Sequence, residues 1–221
     1  MAANVFAMDA VMGLVYYMSD NKKFDIRLEA AITKLFSTEA SWNIIYDAVQ
    51  IRGGRGYETA PSLRGRGESS YPVERAMRDS RINTILEGSS EIMHLFIARE
   101  SLDFHLNKIK NILNPRVPIV SKIKFALKAG LDYFLWYPTL WIPVFGKKRP
   151  DLPKALNKHA RFVERASKKL ARRLFHKMMI YQKGLVQKQN MLNRFVDIGM
   201  ELFAISAVLS YASAHLKKEN N

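Results

Sequence analysis

The stretch Arg27–Gln50, RLEAAITKLFSTEASWNIIYDAVQ, decides the fold class. Its apolar residues Leu28, Ala31, Ile32, Leu35, Trp42, Ile45 and Val49 recur near a 3.6-residue period, as in an amphipathic helix rather than a strand. A similar stripe runs upstream over Val5–Met18, and Ser19-Asp20-Asn21 between the two offers side chains to cap the second helix. Downstream, 52–71 carries Gly53, Gly54, Gly56, Gly65, Gly67 and Pro61, and reads as a long loop. Pro72 stands where a first-turn proline belongs, opening a helix through Arg81. After the turn at Glu87-Gly88-Ser89, residues Glu91–Lys110 read as helix again. Beyond Asn114-Pro115, Val120–Trp136 is basic and then aromatic, while 137–153 is irregular with four prolines. Two long helices complete the chain. One runs from about Leu156 to Gln189, with Phe162, Ala166, Leu170, Leu174, Met178 and Tyr181 on one stripe, and one from Met191 to Leu216 is apolar over most of its surface. Strand patterns are almost absent, so the class is all-α with antiparallel bundle packing. The expected organisation is a helical domain over 1–110 and a basic helical extension over 111–221.

Composition narrows the function classes. The 221 residues are 48% hydrophobic and 25% charged, enough for one large or two small globular domains and unlike a disordered, collagen-like or disulfide-stapled chain. The absence of cysteine removes thiol catalysis, cysteine-bound zinc and iron–sulfur clusters, and fits a reducing compartment. The net charge of +15 is divided unequally. Residues 1–107 hold 12 Lys+Arg against 14 Asp+Glu, a net of −2, whereas 108–221 hold 23 against 6, a net of +17. The second half is therefore expected to meet an anionic surface, phosphate or lipid headgroup. The apolar start carries Asp9 and no basic region, so neither a signal nor a transit peptide is read there. No run of about 18 uncharged apolar residues exists, and no spanning helix is expected.

Several motifs have ordinary readings. Gly54-x-Gly56 is followed by Thr59 where a dinucleotide fingerprint needs its third glycine, and no strand precedes it. Glu91-Ile92-Met93-His94 has the spacing of a di-iron ligand pair, but no other histidine has a carboxylate three residues before it. Arg75, Arg78, Asp79 and Arg81 read as an ion-pair network fixing one short helix. Glu87, between Leu86 and Gly88 and just before a helix, has two readings. It is either a helix-start carboxylate favoured by the dipole or, in apolar surroundings that raise its pKa, a base able to take a proton from carbon.

Four segments in order break that tie. Gln50-Ile51-Arg52-Gly53-Gly54-Arg55-Gly56-Tyr57 comes first, then Pro72-Val73-Glu74-Arg75-Ala76-Met77-Arg78-Asp79-Ser80-Arg81-Ile82. Glu87-Gly88-Ser89-Ser90-Glu91-Ile92 and Ile97-Ala98-Arg99-Glu100 come next. The series resembles the C-terminal helical domain of flavin-dependent acyl-CoA dehydrogenases, over Glu29–Glu100. The resemblance implies that Glu87 removes the α-proton of an acyl-CoA thioester while a hydride leaves the β-carbon for the flavin of FAD, giving a trans-2-enoyl-CoA. It implies that the backbone N–H of Glu87 helps hold the thioester carbonyl, as an oxyanion hole would. It also implies that Gly88 lines the substrate, that Ser89, Ser90 and Glu91 approach the flavin, and that Gln50, Ile51, Arg52, Gly53 and Gly54 contact its adenosine diphosphate part across a homodimer interface. No metal site is implied. The 57–72 loop is longer than in most members, and the chain is expected to begin inside the helical domain, so that a missing N-terminal half would be a partner in flavin and substrate binding.

Residues 108–221 resemble the C-terminal region of the very-long-chain branch, which implies membrane-surface and dimer contacts, long acyl chains and an electron-transfer flavoprotein-type acceptor. Within 120–145, Lys122, Lys124 and Lys128 stand among Phe125, Tyr133, Phe134, Trp136, Tyr137, Trp141 and Phe145, the pattern of an interfacial segment or of an aromatic stripe packed in the bundle. The expected location is cytoplasmic, peripheral on the inner membrane. The competing expectation is a non-catalytic helical module binding membrane or a partner subunit. Nucleic-acid binding has only the charge in its favour, and no nucleic-acid partner is expected.

Overall fold

The computed structural model describes residues 1–21, 25–142 and 152–219. Pro143 and Phe145 lie outside the described residues. Nine α-helices and no strand occur among the described residues, which confirms the all-α class. The chain forms two compact units, Met1–His94 and Leu95–Asn221.

The first unit is built on α1 (Ala2–Asp20) and α2 (Arg27–Arg52). Ala10, Val11 and Val15 from α1, and Ala31, Ile32, Leu35 and Ala40 from α2, supply its core. The Ser19-Asp20-Asn21 stretch does not cap α2, whose N-cap position is Ile26. Asp25 instead accepts a 3.3 Å bond from the Arg27 amide and an ion pair from its guanidinium. The 52–71 segment is not one loop but holds two short helices, α3 (Gly54–Tyr57) and α4 (Ala60–Gly65). A Cβ on Gly56 would stand 2.7 Å from the Val49 carbonyl oxygen, so glycine is what lets α3 lie against the end of α2. The Leu63 side chain of α4 is fully buried. Pro72 is the N-cap of α5 (Val73–Asn83) rather than its first helical residue. Ser41 and Ser80 meet across the α2/α5 contact at 3.4 Å.

The second unit holds most of α6 (Ser90–Leu113), then α7 (Ile119–Thr139), α8 (Asn157–Tyr181) and α9 (Gln189–Glu219). A continuous helix from Leu156 to Gln189 is not formed. Gln182 takes a left-handed φ of 46°, and a 3-10 turn over Gln182–Gln187 leads into α9. Leu170 meets Gly199, which sets α8 and α9 side by side and antiparallel. The α8 stripe is only half-buried, and Phe162 at its start is exposed. On α9, Leu192, Val196, Met200, Ala204 and Ala207 form a buried stripe at helical spacing. By length and composition the segment Gln189–Leu216 would also suffice to cross a membrane, contrary to expectation. Its apolar stretch is interrupted by Glu201 alone once Asp197 is passed.

The aromatic stretch of α7 divides between two faces. Tyr133, Trp136 and Tyr137 turn toward Phe175 of α8, with ring centroids 5.1, 5.7 and 5.7 Å away. Phe134, 74% exposed, lies with Leu127, Leu131 and Leu135 on the outer face, and the Arg172 guanidinium sits 4.1 Å over Trp141. Trp136 therefore packs the bundle rather than facing outward.

Candidate functional site

The turn between α5 and α6 concentrates the residues of interest. The Ser90 amide donates to the Thr84 carbonyl at 3.1 Å and closes the turn, while the Leu86 amide continues α5 onto the Ile82 carbonyl at 2.9 Å. Between them the backbone reverses hand. Glu87 has φ 53° and Gly88 φ 93°. A carboxylate-bearing residue with positive φ is strained by roughly 1 kcal/mol, a feature that concentrates at functional sites. Glycine suits position 88 because a φ of 93° is a backbone conformation that residues with a side chain rarely adopt. The Lys34 ammonium from α2 donates to the Gly88 carbonyl and ties the turn to the core of the first unit.

Glu87 is exposed, as are Ile85 and Leu86 beside it. The apolar enclosure expected of it is not supplied by the described residues of this unit. Ser89 starts α6, its carbonyl accepting from the Met93 amide at 2.8 Å and its hydroxyl from the Ile92 amide at 3.4 Å. Glu91 is held below the usual carboxylate range, first by its own backbone N–H and then by the Ser89 hydroxyl, with Arg81 and His94 adding positive charge. The His94 ring nitrogen Nδ1 lies 2.7 Å from the Ser90 carbonyl, a contact within the helix. No cluster able to hold a metal ion exists among the described residues.

Ser89, Ser90 and Glu91 line a cleft of about 500 Å³ together with Trp42, Arg81 and Thr84. The Arg81 guanidinium lies 5.3 Å from the Trp42 ring centroid. Arg75 and Arg78 do form the expected helix pairs, with Asp79 at 3.6 Å and Glu74 at 2.8 Å, but Arg81 turns to the cleft instead. Trp42, Lys34 and the role of Arg81 are invisible to motif reading, since each depends on a contact between α2 and a segment about forty or more positions later.

Gln50, Ile51, Arg52, Gly53 and Gly54 end α2 and begin α3. Gly53 has φ 58°, and space is open around both glycines. The Arg52 guanidinium lies 5.3 Å from the Tyr71 ring, and its buried Nε has no hydrogen-bond partner. Open backbone beside an incompletely paired guanidinium fits a phosphate-bearing group. These five residues and the Ser89–Glu91 cleft are not brought together. Gln50 follows Asn43, an α2 residue that lines the cleft, by seven residues, or about 10 Å along α2.

Known proteins resemble this chain in sequence and in fold. Residues 1–102 match the family described as acyl-CoA dehydrogenase, C-terminal domain, and residues 154–221 match the ACAD9/ACADV C-terminal domain. The chain is 49% identical over 219 residues to the Probable acyl-CoA dehydrogenase FadE10 of Mycobacterium tuberculosis, covering 96% of this chain and 33% of that protein. It is 28% identical over 222 residues to the human mitochondrial very long-chain specific acyl-CoA dehydrogenase, covering 96% of this chain and 31% of that protein. A crystal structure of an acyl-CoA dehydrogenase complexed with FAD from Bacillus anthracis superposes with a TM-score of 0.62 at 22% identity, covering 97% of this chain and 35% of that one, and so shares the fold. The chain thus spans about a third of the length of the relatives it matches. Through these two matched C-terminal domains, over residues 1–102 and 154–221, the chain belongs to the acyl-CoA dehydrogenase family.

Proposed function

We propose that this chain forms the C-terminal part of an FAD-dependent dehydrogenase that converts long-chain acyl-CoA to trans-2-enoyl-CoA in fatty acid β-oxidation. The observation that carries the reading is the Glu87-Gly88 turn, which holds a carboxylate in a strained, exposed position beside a glycine. In this reading the Glu87 carboxylate accepts the α-proton and becomes a carboxylic acid, the α C–H electrons form the new double bond, and the β-carbon gives up its hydrogen with the bonding pair. FAD, when bound, supplies the acceptor for that hydride. Acidification of the α-carbon falls to the Glu87 backbone N–H at the thioester carbonyl. Gly88 offers the acyl chain a wall without a side chain. Ser89, Ser90 and Glu91 would hold the flavin ring, and Gln50, Ile51, Arg52, Gly53 and Gly54 the adenosine diphosphate part. The assembly proposed is a homodimer in which each copy serves the other's cofactor.

Enclosure of Glu87 then comes from further sequence of the kind the relatives carry, which serves as the N-terminal half. An electron-transfer flavoprotein-type acceptor would be the partner that returns the enzyme to its oxidised form. The exposed apolar face of α7, with Lys124 and Lys128 exposed on the same helix, supports a peripheral position on an anionic inner membrane, facing the cytoplasm. The test is Glu87→Gln in the enzyme completed by an N-terminal half. Flavin content stays unchanged and flavin reduction by acyl-CoA disappears, since the amide keeps the shape and removes the proton affinity. Near-normal reduction in the variant would overturn Glu87 as the base, whereas a completed parent enzyme that reduces no flavin would leave a non-catalytic membrane- or subunit-binding module.

A further inference from the structure

Within the second unit, α8 and α9 enclose a groove of about 680 Å³ that none of the residues discussed above accounts for. Lys169, Arg173 and Lys177 line it from α8, at i, i+4 and i+8, and Arg194 faces them from α9. Like charges at such spacing repel, so the row costs stability unless an anion offsets it. The lining contains no carboxylate. Among the described residues Lys169, Arg173 and Arg194 form no ion pair, and Lys177 has only the Tyr181 ring at 5.6 Å. Beside these cations the groove exposes Ile180 at 66% and Ile198 at 47%. Cationic rim and apolar floor together match one chemistry, a phosphate joined to an acyl chain.

We propose that this groove takes the headgroup phosphate and upper acyl chain of an anionic phospholipid at a membrane surface. Arg173 and Arg194 close on the phosphate from opposite helices, Lys169 and Lys177 extend the positive field along α8, and Ile180 and Ile198 receive the chain. The inference rests on the peripheral-membrane reading above and adds to it a defined lipid site, distinct from the outer face of α7.

The test uses the 221-residue chain and sedimentation with vesicles of phosphatidylcholine containing phosphatidylglycerol, with pure phosphatidylcholine as the uncharged control. Each basic residue near an anionic surface contributes several-fold to binding, so Arg173→Gln/Arg194→Gln should lower partitioning roughly twentyfold. Arg161→Gln/Arg165→Gln removes the same charge from the exposed start of α8 outside the groove and should lower it only about threefold. Ile180→Ser/Ile198→Ser should lower it about tenfold without change in melting temperature, both side chains being exposed. Equal losses in the two arginine pairs would overturn the groove and leave general attraction, with the membrane reading intact. Wild-type protein remaining in the supernatant would overturn both. Preference for duplex DNA over the vesicles, abolished by the groove pair, would overturn the lipid in favour of a polyanion.

Discussion

The ammonium of Lys34 is hydrogen-bonded to the carbonyl oxygen of Gly88, 54 positions later, and is the side chain that ties the Glu87 turn to α2. The bond does not touch the proposed reacting atoms, yet it sets the backbone from which the Glu87 side chain leaves. Lys34 is half-buried, and a hydrogen bond from a charged donor is worth about 1 to 2 kcal/mol at such a site. Lys34→Met should therefore lower unfolding free energy by about 1 kcal/mol. In the completed enzyme it should lower kcat about tenfold while KM changes little, a split that a purely structural role would not produce. Denaturant titration and steady-state kinetics check both values.

Glu87 carries backbone strain that its side chain does not relieve within the first unit. Replacement by glycine removes that strain, at the cost of a more flexible unfolded chain. Glu87→Gly should be neutral or stabilising, by up to about 1 kcal/mol, although it deletes the proposed base. A Glu→Gly change at an ordinary helix or turn position would destabilise. Thermal melts of the 221-residue chain decide between these signs.

The glycines of the α2–α3 junction should behave in opposite ways. Gly56→Ala forces a methyl against the Val49 backbone, which cannot swing aside as a side chain can, and should cost about 2 to 3 kcal/mol. Gly54→Ala meets open space and should leave the melting temperature unchanged. If the Gln50–Gly54 run contacts the cofactor, Gly54→Ala should nevertheless weaken FAD retention in the completed enzyme. Unchanged retention would remove Gly54 from the proposed cofactor contacts.

The split of the α7 aromatics gives a further pair of outcomes. Trp136 is half-buried against His105 and Phe175, with centroids 5.4 and 5.7 Å away, so Trp136→Ala should cost about 3 kcal/mol. Leu131→Ser/Phe134→Ser touches only the exposed face and should stay within about 0.5 kcal/mol of the parent. On the membrane reading, the second pair rather than the first loses vesicle binding.

The helices α1, α2, α6 and α9 were legible because each keeps an apolar period over many turns, and periodicity needs no knowledge of the partner helix. The 52–71 segment was not, because its glycines signal a loop whether they serve conformational freedom, as at Gly53, or close approach, as at Gly56. Gly184 is the sequence's one signal for the turn after α8, and it misplaces the break slightly, because the left-handed φ falls on Gln182, an uncommon choice for a non-glycine residue. Within the candidate site, Glu87 and Gly88 stand out through their motif. Lys34, Trp42 and Arg81 do not, because their contribution exists only after α2 has packed on α5.

The aromatic cluster of the second unit predicts an acid sensitivity. His105 is buried, with Nδ1 3.0 Å from the Tyr133 hydroxyl and its ring stacked on that side chain at 5.8 Å. Burial, and then the nearby Lys108 ammonium, hold its pKa below the ordinary histidine value of 6.5, while burial and Asp132 raise that of Tyr133. The folded state therefore prefers neutral His105. Above about pH 6.5 the residue is neutral in both states and adds no pH dependence. As pH falls below that value the unfolded chain takes a proton that the folded chain refuses, and stability declines by up to about 1.4 kcal/mol per pH unit until the folded value is reached. Carboxylates titrate mainly below about pH 5, so the window between about 6.5 and 5 isolates histidine. Melting temperature should fall across that window in the parent, and His105→Gln, which keeps a hydrogen-bonding group without a titrating ring, should flatten the decline. A decline of undiminished slope in His105→Gln would assign the acid sensitivity to one of the other histidines.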